Sequence, residues 1–216
     1  MTLNNFNGII LDAGDVIYDA TLWRRWFFEK LNAATDINLN YDEFYFMWDN
    51  YYLRDIHLGN IEYNDQFRQF LLDMQIPAER LDDIIELSME GKKDLEGKSK
   101  PYQWVYDYFP LIKKKGKVLT VLTDSEQNEN EIRRRYREWG ISDYIDHIIT
   151  SRDSSTVKPY PWAYQKALDE MDMKAEQCIF IGHDFDELTG ARNIGLRTID
   201  FFDREQFAEF LKVFDD

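Results

Sequence analysis

Apolar residues recur along the chain with two different periods, and the change of period divides it. Gly8–Leu11 is a short, mostly apolar run that stops on Asp12. The small, flexible turn Ala13-Gly14-Asp15 follows, and Val16 and Ile17 resume the apolar pattern. An apolar run of this length bounded by turn residues predicts a buried strand of a parallel sheet. From about residue 21 to 96 the spacing becomes helical: Leu22, Trp26, Phe27 and Leu31; Phe44, Met47, Trp48 and Tyr51; Phe67, Phe70, Leu71 and Met74; Leu81, Ile84, Ile85 and Met89. Gly59, Asn60 and Pro77 mark the breaks.

Beyond Tyr102 strands and helices alternate. A helix over 102–115 stops at Gly116, and a strand over 117–122 runs into Thr123-Asp124-Ser125. A charged helix over 128–139, a strand at His147–Thr150, a helix over 159–171 and a strand over 177–181 follow. A helix carrying Leu188 and Ala191, a last strand at Arg197–Asp200 and a C-terminal helix close the chain. Strands alternating with helices of this length predict an α/β fold with a doubly wound, Rossmann-like parallel sheet. The first strand then belongs with the far end of the chain, giving a core of residues 1–18 and 100–216 and an inserted all-helical domain of residues 19–99. An insertion at the carboxyl end of a sheet strand is expected over the ligand crevice, as a lid.

Composition narrows the function classes. The 216 residues hold 26 Lys and Arg against 41 Asp and Glu, a formal net charge of −15. That balance argues against nucleic acid or an anionic membrane as partner, because phosphate backbones call for clustered cations. Arg133, Arg134, Arg135 and Arg137 do cluster, but Glu129, Glu131 and Glu138 interleave with them, which favours a salt-bridged helix face. No stretch approaches the roughly 20 apolar residues of a membrane span, and the first residues carry no basic, signal-like region, so a cytoplasmic protein is expected. The one cysteine, Cys178, opens an apolar strand and reads as structural.

Chemistry gathers at the strand ends: Asp12; Thr123, Asp124 and Ser125; Lys158; then His183, Asp184, Asp186 and Glu187. A carboxylate can attack phosphorus and form an acyl-phosphate. A hydroxyl and an ammonium can hold the phosphoryl oxygens that carry charge in the transition state. An acidic cluster suits Mg²⁺, a hard cation that prefers oxygen ligands.

Four segments in this order resemble the haloacid dehalogenase (HAD) superfamily of hydrolases over almost the whole chain. They are Asp12-Ala13-Gly14-Asp15-Val16 after the first strand, Thr123 ending VLT, Lys158-Pro159-Tyr160-Pro161 with Tyr164 and Ala167, and the acidic loop leading into Gly190-Ala191-Arg192-Asn193-Ile194-Gly195. The helical insertion resembles the small cap of that family. The resemblance implies that Asp12 is a nucleophile, that Thr123 and Lys158 are catalytic and hold the phosphoryl group, and that the substrate is a small phosphate ester. It also implies a Mg²⁺ cofactor on Asp12, the Gly14 carbonyl, Asp184 and Glu187.

Two positions depart from the family pattern. The general acid expected two residues after the nucleophile is Gly14, and Asp15 is expected in a left-handed backbone, standing where the family has Gly or Asn. In the fourth segment the expected first Asp falls on His183 when counted forward from the strand, and on Gly182 when counted back from Gly190-Ala191. Three functions stay open: a Mg²⁺-dependent phosphatase, a catalytically weak member that binds a ligand or protein, and a dehalogenase-type hydrolase that uses the same Asp without metal.

Overall fold

The computed structural model describes residues 6–34 and 40–215, which divide into two compact units, residues 1–19 with 100–216 and residues 20–99. The first holds strands β1 (Gly8–Leu11), β2 (Val118–Thr123), β3 (His147–Thr150), β4 (Cys178–Gly182) and β5 (Arg197–Asp200). They form one parallel sheet in the order β3-β2-β1-β4-β5. The strands consist largely of apolar residues because both faces of the sheet are covered. In chain order the helices are α1 (Leu22–Ala34), α2 (Tyr41–Trp48), α3 (Arg54–His57), α4 (Tyr63–Asp73), α5 (Leu81–Lys98), α6 (Gln103–Lys114), α7 (Glu129–Glu138), α8 (Ser151–Ser154), α9 (Pro161–Met171), α10 (Phe185–Asn193) and α11 (Arg204–Leu211).

Alternate strand residues point to opposite faces, and the two buried clusters follow that alternation. Ile9, Leu11, Val121, Ile148 and Ile179 pack with Phe109 of α6, Tyr136 of α7 and Phe210 of α11. Ile10, Leu122, Ile149 and Phe180 pack with Tyr164 and Leu168 of α9 and Ala191 of α10. Helices on both faces make this the doubly wound α/β architecture. Cys178 lies wholly buried in the second cluster, and burial pushes its thiol up to about 11. A thiol so held is inert at neutral pH.

β1 sits at the centre, in register with β2 on one side and β4 on the other (Leu11 opposite both Val121 and Ile181). The chain leaves β1 for β2 and β3, then crosses back to β4 and β5. Strand order therefore reverses beside β1, and ligands of open α/β sheets bind at such a switch point, beyond the carboxyl ends of the strands. The turn there is tied down behind Asp12: Trp104 Nε1–H donates to the Val16 carbonyl (2.9 Å) and Tyr102 N–H to that of Ile17 (2.8 Å). Asp15 takes the left-handed backbone expected of it, with φ 58°.

The second unit has its own aromatic core. Trp48 lies edge-on to Phe67 and Phe70 at 5.6 and 5.3 Å, and Phe27, Phe44 and Leu71 are buried with them. Fully burying such side chains is worth about 1.5–3 kcal/mol each. Tyr51, which the helical spacing places on the buried face, is 67% exposed. It lies in the wider π-helical turn Asp49–Leu53, whose extra residue rotates it off that face.

Candidate active site

β1 ends where Asp12 N–H donates to the Ile181 carbonyl of β4 (2.9 Å), so the sheet ladder itself fixes the first residue beyond the strand. The Asp12 carboxylate is buried. Its Oδ1 accepts from Ala13 N–H at 2.8 Å and from Lys158 Nζ at 2.6 Å. The same Nζ donates to Glu187 Oε2 at 2.9 Å. Side-chain exposure is 2% for Lys158, 9% for Asp12 and 18% for Glu187, so one ammonium is shared by two carboxylates in near-complete burial.

Three elements hold Lys158 there. Its backbone N–H donates to the Asp124 carboxylate just beyond β2 (3.1 and 3.3 Å). Lys158-Pro159 is a cis peptide, and Pro161 opens α9, where a missing N–H costs nothing. On the other side α10 comes so close to this loop that a Cβ on Gly190 would lie 2.4 Å from the Pro159 carbonyl oxygen, which only glycine permits. Tyr164 of α9 adds a tie to α10, its hydroxyl donating to the Glu187 carbonyl at 2.7 Å.

Electrostatics follow from this packing. Burial alone would lower the Lys158 ammonium, but Asp12, Glu187 and Asp124 together outweigh it and hold the group well above its ordinary value, hence charged. Burial raises the Glu187 carboxyl more than Lys158 lowers it, and Asp12 and Asp124 push it further upward.

The other carboxylate oxygen has a different neighbour. His183, first residue after β4, places Nε2 3.5 Å from Asp12 Oδ2, with its ring 5.3 Å from that of Phe202. Of the two counts along the fourth segment, the forward one therefore identifies the residue that faces Asp12. Asp184 does not: it is exposed and caps α10, its Oδ1 accepting from the N–H groups of Asp186 and Glu187 at 2.9 and 3.0 Å. Thr123 ends β2, buried and paired in register with Thr150, and Gly14 lies in the turn after Asp12.

The expected magnesium set of Asp12, Gly14, Asp184 and Glu187 is not assembled here. Asp184 is engaged in the helix cap and Glu187 in the ion pair with Lys158. Among the described residues no group of three or more His, Cys, Asp or Glu side chains converges to hold a metal. An imidazole beside the Asp12 carboxylate suits Zn²⁺ or Cu²⁺ better than Mg²⁺, which takes an oxygen octahedron. The donor set present does not fit magnesium.

Asp12 and Lys158 thus meet directly. Asp124 and His183, strand-end candidates given no role by the family resemblance, and Tyr164 also take part. Tyr164 belongs to the segment that follows Lys158-Pro159 and Asp124 stands next to Thr123, whereas His183 carried an ambiguous signal.

The family of haloacid dehalogenase-like hydrolases matches residues 6–195. Pyrophosphatase PpaX of Bacillus cereus is 28% identical over 97 residues, 45% of this chain and 44% of that protein. PpaX of Bacillus mycoides is 28% identical over 98 residues, 45% of each. The matched stretch thus spans less than half the length of these curated relatives. Among solved structures, L-2-haloacid dehalogenase from Xanthobacter autotrophicus superposes with a TM-score of 0.62 at 13% identity, over 94% of this chain and 81% of that one. A candidate β-phosphoglucomutase from Thermotoga maritima gives 0.64 at 14%, over 95% and 92%. At such identities the likeness is one of fold.

Proposed function

The chain belongs to the haloacid dehalogenase-like hydrolases, and on that footing we propose that it hydrolyses a small phosphate ester through a covalent intermediate on Asp12. The observation that carries this reading is the buried contact of 2.6 Å between Lys158 Nζ and Asp12 Oδ1. Lys158 orients the carboxylate and leaves Oδ2 directed away from the ion pair. In the proposed first step Oδ2 attacks phosphorus, the new O–P bond forms, and the bond to the leaving oxygen breaks with its electron pair. Lys158 and the Thr123 hydroxyl offset the charge that develops on the phosphoryl oxygens. Water then attacks the aspartyl-phosphate, releasing phosphate and restoring the carboxylate.

Gly14 supplies no proton to the leaving group. The substrate that suits such a site departs unprotonated, as an aryl oxide or the phosphate of a phosphoanhydride does. The matched relatives are named pyrophosphatases, so pyrophosphate, an anhydride, is the compound to test beside the aryl ester. A magnesium ion, implied by family resemblance, finds no fitting donor set, and no step above is routed through one. We assign the helical unit of residues 20–99 to substrate selection. No helix among the described residues is long and apolar enough to cross a membrane, and we place the protein in the cytoplasm.

Gly14 and the unassembled metal set favour one other reading. A dehalogenase-type hydrolase needs neither, and would use Asp12 to displace halide from carbon and form an ester. The two are separated by assaying phosphate release from an aryl phosphate and from pyrophosphate, and halide release from 2-chloro acids, with Asp12→Asn as control. Phosphate release that vanishes in Asp12→Asn is the expected result. Halide release alone would select the second reading, and neither activity would leave a ligand-binding protein.

A further inference from the structure

Building on the Asp12 reading, we propose that His183 stands where a divalent cation would otherwise sit, so that Asp12 is flanked by two side-chain nitrogens and works without a metal ion. Geometry around both oxygens points this way. Oδ1 already accepts from Ala13 N–H and Lys158 Nζ, at 2.8 and 2.6 Å. Oδ2, the oxygen left to bind a cation, faces His183 Nε2 at 3.5 Å.

Sheet register makes this placement unavoidable. Leu11 lies opposite Ile181 and the Asp12 N–H bonds back to the Ile181 carbonyl, so the residues just beyond β4 must flank Asp12. Position 183 is the one whose side chain does so. An imidazole nitrogen there can donate a hydrogen bond to a carboxylate, whereas Mg²⁺ requires oxygen.

The two acids expected to complete the site are committed. For Glu187 to turn to a cation beside Asp12, its 2.9 Å contact with Lys158 would have to break. For Asp184 to turn inward, two backbone N–H groups at the start of α10 would lose their acceptor. The Phe202 ring at 5.3 Å backs the imidazole on its own side. The chain thus presents a nitrogen donor where its family pattern has an oxygen donor, and Asp184 and Glu187, the acids expected to complete the site, are engaged elsewhere.

The test uses Mn²⁺ as probe on the full chain, following the electron paramagnetic resonance signal of the free ion. Wild type and Asp12→Asn should take up the same amount, since any binding is then to surface acids. One equivalent bound by wild type and lost in Asp12→Asn would overturn the proposal. In parallel, any phosphate release should persist unchanged in excess chelator. Activity lost in chelator and restored by Mg²⁺ would also overturn it. Absence of all hydrolysis would defeat the phosphatase reading while the Mn²⁺ titration still decides this one.

Discussion

The two sides of the Asp12 carboxylate are built to different standards. On the Lys158 side, the contact is 2.6 Å and side-chain exposure falls to 2%. The loop that carries Lys158 is held by the Asp124 carboxylate and by the close approach of Gly190. On the His183 side the contact is 3.5 Å, a quarter of the imidazole is exposed, and an aromatic ring is the backing. A group fixed by several independent elements cannot move without cost, whereas one held by a single contact can be exchanged. The Lys158 side is where this chain keeps its family's pattern, and the His183 side is where it departs.

That contrast can be broken most sharply at Lys158. Replacing it with Met leaves the buried Asp12 carboxylate without its cation, and denaturant titration should show a loss of about 3–5 kcal/mol. Hydrolysis, measured under conditions where the variant is folded, should fall by about 10²–10³-fold, the cost of one transition-state donor. If neither changed, the Lys158 side would not be the rigid one.

Gly190→Ala tests whether the packing around Lys158 is needed. The new Cβ would meet the Pro159 carbonyl, so the loop must shift. We expect about 1–3 kcal/mol of lost stability, as for an overpacked core, together with reduced kcat. Unchanged kcat would separate loop position from chemistry.

At His183 the effect should be smaller. A contact of 3.5 Å is weaker than a full hydrogen bond, whose worth is about 0.5–1.5 kcal/mol, so His183→Ala should slow the reaction by no more than about tenfold while leaving the melting temperature nearly unchanged. A loss as large as that of Lys158→Met would make the two sides equal.

Glu187 provides the gentlest probe. Its carboxyl is raised in the folded state from 4.5 to about 8, chiefly by burial. Between those values the folded protein binds a proton that the unfolded chain releases, so this contribution to stability is complete below the lower value and is lost as pH rises through the window. Thermal melts should show that slope in wild type and a flatter profile in Glu187→Gln. Equal slopes would mean that Glu187 is not the group responsible.

Much of this was legible in the residues. The bounds of β1, β3 and β5 are those the sequence predicts; β1 carries its signal in every residue because it is buried throughout, whereas β5 buries only Ile199 and is marked by the alternation of elements before it. β2 and β4 each start and end one residue later than the predicted 117–122 and 177–181, with pairing continuing until Thr123 meets Thr150 and Gly182 meets Asp200. In the helical unit, period alone could not foresee the π-turn that exposes Tyr51. At the site, Asp12 is marked by the strand it ends and Lys158 by its proline frame. His183 was ambiguous because its two flanking anchors disagree by one residue, and only the register of β4 against β1 decides between them. Asp124 stands out as a strand-end acid, but its partner is a backbone N–H, which has no residue type to recognise.

All of this turns on whether Asp12 is the atom donor in the first step. The direct measurement is mass spectrometry of the peptide carrying Asp12, after rapid quenching of the protein mixed with an aryl phosphate or pyrophosphate. With no acid at Gly14 to assist breakdown, the intermediate should accumulate, and a phosphoryl adduct on Asp12 is the expected result. An adduct on a different residue, or turnover that survives in Asp12→Asn, would contradict it.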